Sequence, residues 1–317
     1  LGPSQEAVRS LEDHTVLLHL PIDQVIPSLA AQPALLRTER LIGYFMWELE
    51  TVPKEFHRAL AVVDEIWTAT EFVADSFRVV TDTPVYVAGH AVDVSGMEKV
   101  ARSELGVPDD AFVVHFSFDA NSSVARKNPN AALDAFHSAF GDDSSALFVL
   151  KIRNFQQVEW LARQGDPHAQ GLLRRLDERR GIVLITGEWS YRRSLGLIDM
   201  CDVFVSLHRS EGFGYGIAEA LALGVPVVCS DSRSAGSTLM GGEISIPAEM
   251  DPVLPEEYFY WEPEMRWASI RLEAAVDALQ QISKSARTAL PVAPADTEIS
   301  LKHLSLAYSG LLRGTEV

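Results

Sequence analysis

Cysteine is scarce in this sequence, and long apolar runs are absent. Only two cysteines occur among the 317 residues, Cys201 and Cys229, and both stand next to predicted core strands. So few cysteines cannot form a disulfide scaffold, and a reducing compartment fits the chain better. A helix that crosses a bilayer needs about 18 or more consecutive apolar residues, and no such run exists. The sequence therefore predicts no transmembrane helix.

Basic residues are also few, which limits the kinds of partner. The chain has 27 Lys and Arg against 44 Asp and Glu, a formal net charge of −17. Because nucleic-acid surfaces need clustered Lys and Arg, a nucleic-acid partner is not expected. A small anionic ligand at a local positive site stays compatible with this charge. No Asp-x-Asp follows a predicted strand and no Cys/His cluster has ligand spacing, so no metal is predicted.

The length allows two domains of about 150 residues each. Apolar strands alternate with helices irregularly over residues 15–92 and regularly from Phe112 onward, which predicts parallel sheets covered by helices. The composition turns polar around Asp93–Met97. We therefore predict a partial N-terminal α/β domain over 1–93 and a Rossmann-like domain over 94–290. Residues 291–317 should form a C-terminal helix that packs back on the first domain. Longer predicted helices include Gln156–Arg179, Met265–Ile282 and Ile299–Leu312.

The most informative stretch is Val203–Ser230, VFVSLHRSEGFGYGIAEALALGVPVVCS. A buried strand is followed by three alternating glycines, an apolar helix and a second buried strand. Two carboxylates, Glu211 and Glu219, occur in this unit with seven residues between them, and Glu219 is the only charge between Gly212 and Cys229. Burying an unpaired carboxylate costs several kcal/mol. Glu219 is therefore expected to face a cleft that holds a polar ligand.

The residues of this unit are compatible with three interpretations. A dinucleotide site needs G-x-G-x-x-G in the first βαβ unit, whereas G-x-G-x-G occurs here late in its domain. A tight strand-to-helix turn explains the glycines but not the carboxylates. A glycine-rich turn at a helix N-terminus binds phosphate, and nearby carboxylates accept hydrogen bonds from sugar hydroxyls. The third interpretation uses every residue and indicates a nucleotide sugar.

The segment SLHRSEGFGYGIAEALALGVPVVCS resembles the donor-binding signature of retaining GT-B glycosyltransferases of group 1. Glu211, Glu219, Ala220, Gly224 and Pro226 match its pattern without a gap. The resemblance implies an α/β fold with two Rossmann-like domains whose parallel sheets face a cleft, the N-terminal domain being abbreviated. It also implies transfer of a sugar from a UDP- or GDP-linked donor to an acceptor hydroxyl, with retention of configuration and without cofactor or metal.

The resemblance also implies roles for individual residues. Glu211 would contact hydroxyls of the transferred sugar, and Glu219 those of the ribose. In FSFDANSSVARKNP, Lys127 matches the lysine that neutralises the diphosphate. Arg126 would replace the family arginine, because Ser122 stands in its place. Glu211, Lys127 and Arg126 are thus the predicted catalytic residues. Further predicted donor contacts are Gly212, Phe213, Gly214, Tyr215, Gly216, His208, Trp189 (at the base pocket) and Lys151.

The acceptor side is predicted from GYFMWELE, residues 43–50. Many family members carry His-Glu there, whereas this chain has Trp47 and Glu48. Three histidines, His19, His57 and His90, are candidates for the cleft by residue type alone, and a surface or core position is the favoured interpretation for them.

Two other functions stay open at this point: a non-catalytic nucleotide-sugar-binding subunit of a glycosyltransferase complex, and an NAD-dependent oxidoreductase. For the transferase, the expected partners are a nucleotide sugar and a glycan, lipid-linked or small-molecule acceptor. Such an enzyme would serve bacterial polysaccharide or glycoconjugate synthesis. Its expected location is the cytoplasm, with peripheral contact at the inner membrane face as an alternative.

Overall fold

The computed structural model describes residues 14–141, 143, 145–178, 180–232, 243–284 and 301–313. The strands are β1 Thr15–His19, β2 Arg40–Tyr44, β3 Glu65–Thr68, β4 Val85–Val87, β5 Phe112–Asp119, β6 Ala146–Arg153, β7 Ile182–Ile185, β8 Val203–Ser206, β9 Val227–Ser230, β10 Ile244–Ile246, β11 Ala248–Pro252 and β12 Arg266–Ile270. The helices are α1 Ile22–Ala31, α2 His57–Ala61, α3 Glu71–Arg78, α4 Val124–Lys127, α5 Pro129–Phe140, α6 Phe155–Arg163, α7 Pro167–Glu178, α8 Tyr191–Asp199, α9 Tyr215–Ala222, α10 Leu272–Lys284 and α11 Leu301–Arg313.

The N-terminal sheet has four parallel strands in the order β1-β2-β3-β4. On one face, apolar side chains of α1, α2 and α3, including Val25, Leu60 and Phe77, form the core with the strands. On the other face, Trp67 packs against Tyr308 of α11 with ring centroids 5.1 Å apart. This sheet is therefore covered on both faces, as its near-continuous apolar strands predict.

The second sheet has six parallel strands in the order β10-β9-β8-β5-β6-β7. This is the doubly wound order, in which the chain turns in opposite directions from two central neighbours. Here those neighbours are β5 and β8, paired through Val114 with Val203 and His115 with Phe204. In such sheets ligands bind outside the carboxyl ends of the strands at this switch point. The α/β class with two Rossmann-like sheets is confirmed.

Two helix predictions are wrong in part. The segment 156–179 forms two helices, α6 and α7, because Gly165 adopts a left-handed conformation (φ 93°) and Pro167 starts a new helix. Within 265–282, the first residues form β12, which pairs antiparallel with β11 and buries Trp267. Only α10 is helical there. Helix α1 is an addition that sequence reasoning missed, because it contains Pro27 and begins after Pro21.

No helix among the described ranges is both long enough and apolar enough to cross a membrane.

Candidate donor site

The loops that follow β5 and β8 meet at the switch point of the larger sheet. Asn128, after α4, donates from Nδ2 to the carbonyl of Leu207 over 3.1 Å, and the amide of Arg209 donates to the carbonyl of Arg126 over 2.8 Å. These bonds connect two segments that are about 80 residues apart in sequence. The connection brings the predicted diphosphate lysine beside the predicted donor loop.

The short helix α4 lies between two residues that have unusual backbone conformations. Ser123, which precedes it, and Asn128, which follows it, have positive φ values of 70° and 53°. Such conformations are energetically unfavourable for residues other than glycine, so these conformations persist only where surrounding contacts enforce them. Ser123 Oγ accepts a hydrogen bond from the Arg126 amide over 3.2 Å and donates to the Glu257 carbonyl over 3.0 Å. These contacts fix Arg126 and Lys127 at the crevice.

Glu211 is the centre of a buried charge cluster. Its carboxylate accepts a very short hydrogen bond from Lys127 Nζ and lies 2.7 Å from His208 Nδ1 and 3.6 Å from Arg126 Nη1. Burial by itself would raise the pKa of Glu211, but Lys127, His208 and Arg126 together hold that pKa well below its ordinary value. Burial lowers the pKa of Lys127, although the Glu211 charge opposes this. The Glu211 carboxylate is therefore in contact with two cations, Lys127 and Arg126.

His208 has one ring nitrogen available in this cluster. Burial lowers its pKa to about 4, with Lys127 adding to the effect, so the imidazole is neutral at pH 7. Because Nδ1 lies 2.7 Å from a carboxylate oxygen of Glu211, the single proton is assigned to Nδ1. The other nitrogen, Nε2, is buried and makes no hydrogen bond within the described residues, and the same holds for Ser210 Oγ. Buried polar atoms normally have partners, so both atoms fit contacts with a polar ligand.

Arg126 is engaged differently from the prediction. Its guanidinium donates to the carbonyls of Ser210 (2.8 Å) and Ser122 (3.2 Å) and lies 3.4 Å from Glu48 of the N-terminal half. Its side chain is only 7% exposed. Arg126 therefore braces the donor loop and connects the two halves of the molecule, which leaves Lys127 as the better-placed cation for a diphosphate.

Glu219 lies on α9, the helix that the glycines start. Gly214 precedes this helix with φ 81°, and a Cβ on Gly216 would come within 2.6 Å of the Phe204 ring, so both positions need glycine. Burial raises the pKa of Glu219 to about 7, although a hydrogen bond from Tyr191 opposes the rise. A half-ionised carboxyl behind a glycine turn can accept hydrogen bonds from ligand hydroxyls.

The two predicted acceptor-side residues lie in different surroundings. Trp47 is 2% exposed, packs edge-on against Phe56 at 5.6 Å, and donates from Nε1 to the Thr51 carbonyl. Its ring is thus part of the N-terminal core and not of an open wall. Glu48 faces the donor domain, where it lies near Arg126 and accepts a hydrogen bond from Tyr258 over 2.8 Å. Local sequence does not distinguish these positions, because apolar burial and a cleft position give the same local pattern, and the acceptor-side role stays a prediction.

The donor loop also touches the N-terminal half directly. A Cβ on Gly212 would lie 2.5 Å from the Trp47 carbonyl oxygen, so only glycine allows this approach. Thr70 Oγ1 donates to the Gly212 carbonyl over 3.0 Å. The loop and the opposite half are therefore in van der Waals contact around Gly212.

Two histidines that the sequence suggested only by residue type occupy the carboxyl edge of the N-terminal sheet. His19 ends β1, and His90 follows β4 by three residues. The His90 ring packs on Phe213 at 5.1 Å and on Tyr215 at 4.9 Å, which places both predicted donor-loop aromatics against this edge. His57 starts α2 and contacts the Val52 carbonyl over 3.3 Å. Edge position in a parallel sheet could have singled out His19.

Two further predicted contacts lie at the margins of the crevice. Trp189, between β7 and α8, is partly buried, with the Arg193 guanidinium 4.4 Å above its ring. Lys151 lies near the carboxyl end of β6, 9% exposed, and burial lowers its pKa. Their roles toward a nucleotide stay predictions. Among the described residues, no group of three or more His, Cys, Asp or Glu side chains could hold a metal ion.

Comparison with known proteins gives a family match for the donor segment. Residues 164–245, which include both carboxylates and the glycine turn, match the family model described as Glycosyl transferases group 1. This segment is similar to group 1 glycosyltransferases, and the chain has the fold of GT-B structures. A search of curated proteins finds no match.

Solved structures of trehalose-phosphate synthases have a fold similar to that of this chain. The α,α-trehalose 6-phosphate synthase of Burkholderia multivorans is 14% identical, with a TM-score of 0.65, over 98% of this chain and 72% of that one. The UDP-forming synthase of Burkholderia xenovorans, solved with glucose-6-phosphate, is 12% identical (TM-score 0.63; 98% and 75% covered). An E. coli structure bound with UDP-2-fluoro glucose is 9% identical (TM-score 0.60; 95% and 70% covered). At these identities the likeness concerns the fold alone.

Proposed function

We propose that this protein transfers a sugar from a nucleoside diphosphate sugar to an acceptor hydroxyl with retention of anomeric configuration. The observation that carries the proposal is the placement of Glu211, Glu219 and Lys127 at the switch point of the six-stranded sheet. Two carboxylates there can accept hydrogen bonds from sugar hydroxyls, and the buried cation Lys127 is paired with Glu211. The match of residues 164–245 to the model described as Glycosyl transferases group 1 supports the same reaction class.

The proposed step needs few protein groups. The bond between the anomeric carbon and the diphosphate oxygen breaks, and the acceptor oxygen bonds to that carbon on the same face. The acceptor proton passes to the departing diphosphate, whose charge Lys127 and the free amides at the start of α9 stabilise. Glu211 and His208 Nε2 accept hydrogen bonds from the transferred sugar, and Glu219 accepts them from the ribose. Holding both substrates in the crevice supplies much of the rate enhancement.

For the donor, we favour a UDP-linked sugar over a GDP-linked one. The support is that structurally similar synthases are described as UDP-forming and one was solved with UDP-2-fluoro glucose. A small sugar acceptor is favoured on the same ground, because a relative binds glucose-6-phosphate. The proposed donor and the proposed acceptor both rest on the similarity in fold.

A thermal-shift screen with UDP, GDP, UDP-glucose, GDP-mannose and NADH tests ligand class. Stabilisation by one nucleotide and its sugar is expected, while stabilisation by NADH alone would support the oxidoreductase and refute the proposal. Transfer is then measured with Glu211→Gln and Lys127→Ala, each of which should lower the rate at least a hundredfold. The control Tyr86→Phe changes a half-exposed side chain of β4 and should leave the rate unchanged. Near-normal rates in both site variants would refute the assignment.

A non-catalytic donor-binding subunit is the second candidate. Glu48 and Arg126 bridge the two halves, and Trp47 is in the core, so the predicted acceptor wall is occupied by internal contacts. Nucleotide-sugar binding without transfer or hydrolysis, across a panel of sugar acceptors, would identify this function.

We also propose the domain division 1–93, 94–290 and 291–317. Strand pairing supports it, because β1–β4 form one sheet and β5–β10 another, and the Arg40 guanidinium donates to carbonyls of Leu311 and Leu312 in the final helix. A cytoplasmic location with peripheral membrane contact belongs to the same proposal, and fractionation of cells that express the chain would test it.

A further inference from the structure

A hydrogen-bond chain connects the start of the donor helix α9 to the N-terminal sheet. Tyr215 Oη is hydrogen-bonded to His90 Nε2, and His90 Nδ1 lies 2.9 Å from Tyr44 Oη. Tyr44 Oη in turn lies 2.7 Å from the carbonyl of Gly89. The chain therefore crosses the cleft from the donor domain to the carboxyl edge of β2 and the residues after β4.

The chain has a single direction of proton donation. The Gly89 carbonyl can only accept, so the one proton of the Tyr44 hydroxyl goes to it, and Tyr308, which is also hydrogen-bonded to Tyr44, is then a donor to Tyr44 Oη. Tyr44 Oη must then accept from His90 Nδ1–H. Burial lowers the pKa of His90 to about 4, with His19 adding to the effect, so at pH 7 the ring holds one proton only. With that proton on Nδ1, the nitrogen Nε2 accepts from the Tyr215 hydroxyl.

The direction of donation determines what Tyr215 offers to a ligand. Its hydroxyl proton is committed to His90, which leaves only oxygen lone pairs on a side chain that is 44% exposed. Ring packing of His90 against Phe213 and Tyr215 restricts the tyrosine further. A hydroxyl with its proton committed is a hydrogen-bond acceptor, and sugar hydroxyls are donors.

We propose that His90 is a positioning residue that holds Tyr215 Oη as a hydrogen-bond acceptor for a hydroxyl of the donor's sugar. The inference rests on the proposed function, since it concerns the same donor. It assigns His90 no chemistry of its own: the side chain acts through Tyr215, at the turn that carries Gly214 and Gly216. The expected consequence is selectivity for the sugar portion of the donor over its nucleotide.

The test compares dissociation constants of a nucleotide sugar and its nucleotide by calorimetry, with the pair UDP-glucose and UDP or the pair GDP-mannose and GDP, whichever stabilises the wild type. His90→Phe keeps a ring and removes both hydrogen bonds, and Tyr215→Phe removes the acceptor oxygen. Each should weaken nucleotide-sugar binding about five- to tenfold, the size of one neutral hydrogen bond, with nucleotide binding unchanged. The double variant should be no weaker than either single one, and His90→Gln, whose amide oxygen can accept from Tyr215, should recover most of the loss.

Several outcomes would overturn the inference. Equal weakening of nucleotide and nucleotide sugar would indicate a general structural role, and multiplying effects in the double variant would show that the residues act independently. If His90→Phe does not fold, the half-exposed Tyr215→Phe and the conservative His90→Gln still decide between these outcomes. The control Tyr86→Phe should change neither constant. Wild-type protein that binds no nucleotide sugar would refute the proposed function, whereas normal binding without a sugar-specific loss would refute the role of His90 alone.

Discussion

Replacing Glu211 with Gln keeps the shape of the side chain and removes the charge that Lys127 and Arg126 share. The side-chain exposures are 14% for Glu211, 13% for Lys127 and 7% for Arg126, so water screens these charges poorly. Removing one partner of a buried ion pair typically costs about 3–5 kcal/mol, because the remaining charge is left without a counterion. We expect the free energy of unfolding at pH 7 to fall by about 3 kcal/mol.

The loss should depend on pH in a defined direction. The folded pKa of Glu211 lies well below the ordinary value of 4.5. Its contribution to stability is therefore complete above the unfolded pKa and disappears as the pH falls through the folded one. Chemical denaturation should show that the stability difference between wild type and Glu211→Gln shrinks as the pH is lowered below 4.5.

The same substitution should improve the binding of a bare anion. In the ligand-free protein the Glu211 carboxylate is paired with Lys127, the cation that a diphosphate would use. The carboxylate and a bound diphosphate would therefore compete for Lys127. We expect Glu211→Gln to bind inorganic pyrophosphate about tenfold more tightly, which corresponds to about 1.4 kcal/mol, while sugar transfer falls. Isothermal calorimetry measures the affinity directly.

The matched control is Asp134→Asn, which breaks an ion pair with Arg175 between α5 and α7, where the two atoms are 2.6 Å apart. This variant should lose stability without a change in pyrophosphate affinity. If Glu211→Gln binds pyrophosphate as weakly as the wild type or more weakly, the carboxylate does not occupy the anion site, and the reasoning fails.

Three further predictions concern other parts of the site. Lys127→Met should abolish pyrophosphate binding measured by calorimetry. Lys127→Arg keeps the charge and should retain a measurable part of the pyrophosphate affinity. Equal binding by both variants would contradict a cationic role for Lys127. The pKa of Glu219, raised to about 7, means that its ionisation destabilises the folded chain, so stability falls as the pH rises from 4.5 to about 7. Glu219→Gln should therefore be more stable than wild type by about 2 kcal/mol at pH 8 and equal to it near pH 4.5, as denaturation at the two pH values would show. Gly212→Ala places a methyl group 2.5 Å from the Trp47 carbonyl oxygen and should cost about 1–3 kcal/mol of stability, measured by denaturant unfolding, whereas Gly187→Ala, with no atom within 4 Å, should be nearly neutral.

Much of the larger sheet could be predicted from the sequence because its elements are locally encoded. The strands β5, β6 and β8 are continuous apolar runs, and each is buried along nearly its whole length. The spacing of Glu211 and Glu219 across a glycine turn is likewise a local pattern. Strand order and the meeting of Lys127 with Glu211 were not locally encoded, because these two residues are 84 positions apart in the sequence.

The predictions failed where one local pattern fits two environments. Trp47 follows an apolar strand, and that pattern is compatible with a cleft wall and with the core that the structure shows. The segment Arg266–Ile270 is short and apolar enough for a helix or a strand, and only its pairing with β11 makes it a strand. Such cases depend on partners elsewhere in the chain, which local periodicity does not contain.

By itself, the sequence determined the fold class, the glycine turn and the carboxylate pair, since each depends on residues within one supersecondary unit. The tertiary structure decided which polar groups meet: Lys127 with Glu211, Arg126 with Glu48, and His90 with Tyr215. These partners come from different elements, and two of the three pairs cross between the sheets. Electrostatic and hydrogen-bond energies depend on distance and burial, so the chemistry of the donor site arises only when the two halves pack together.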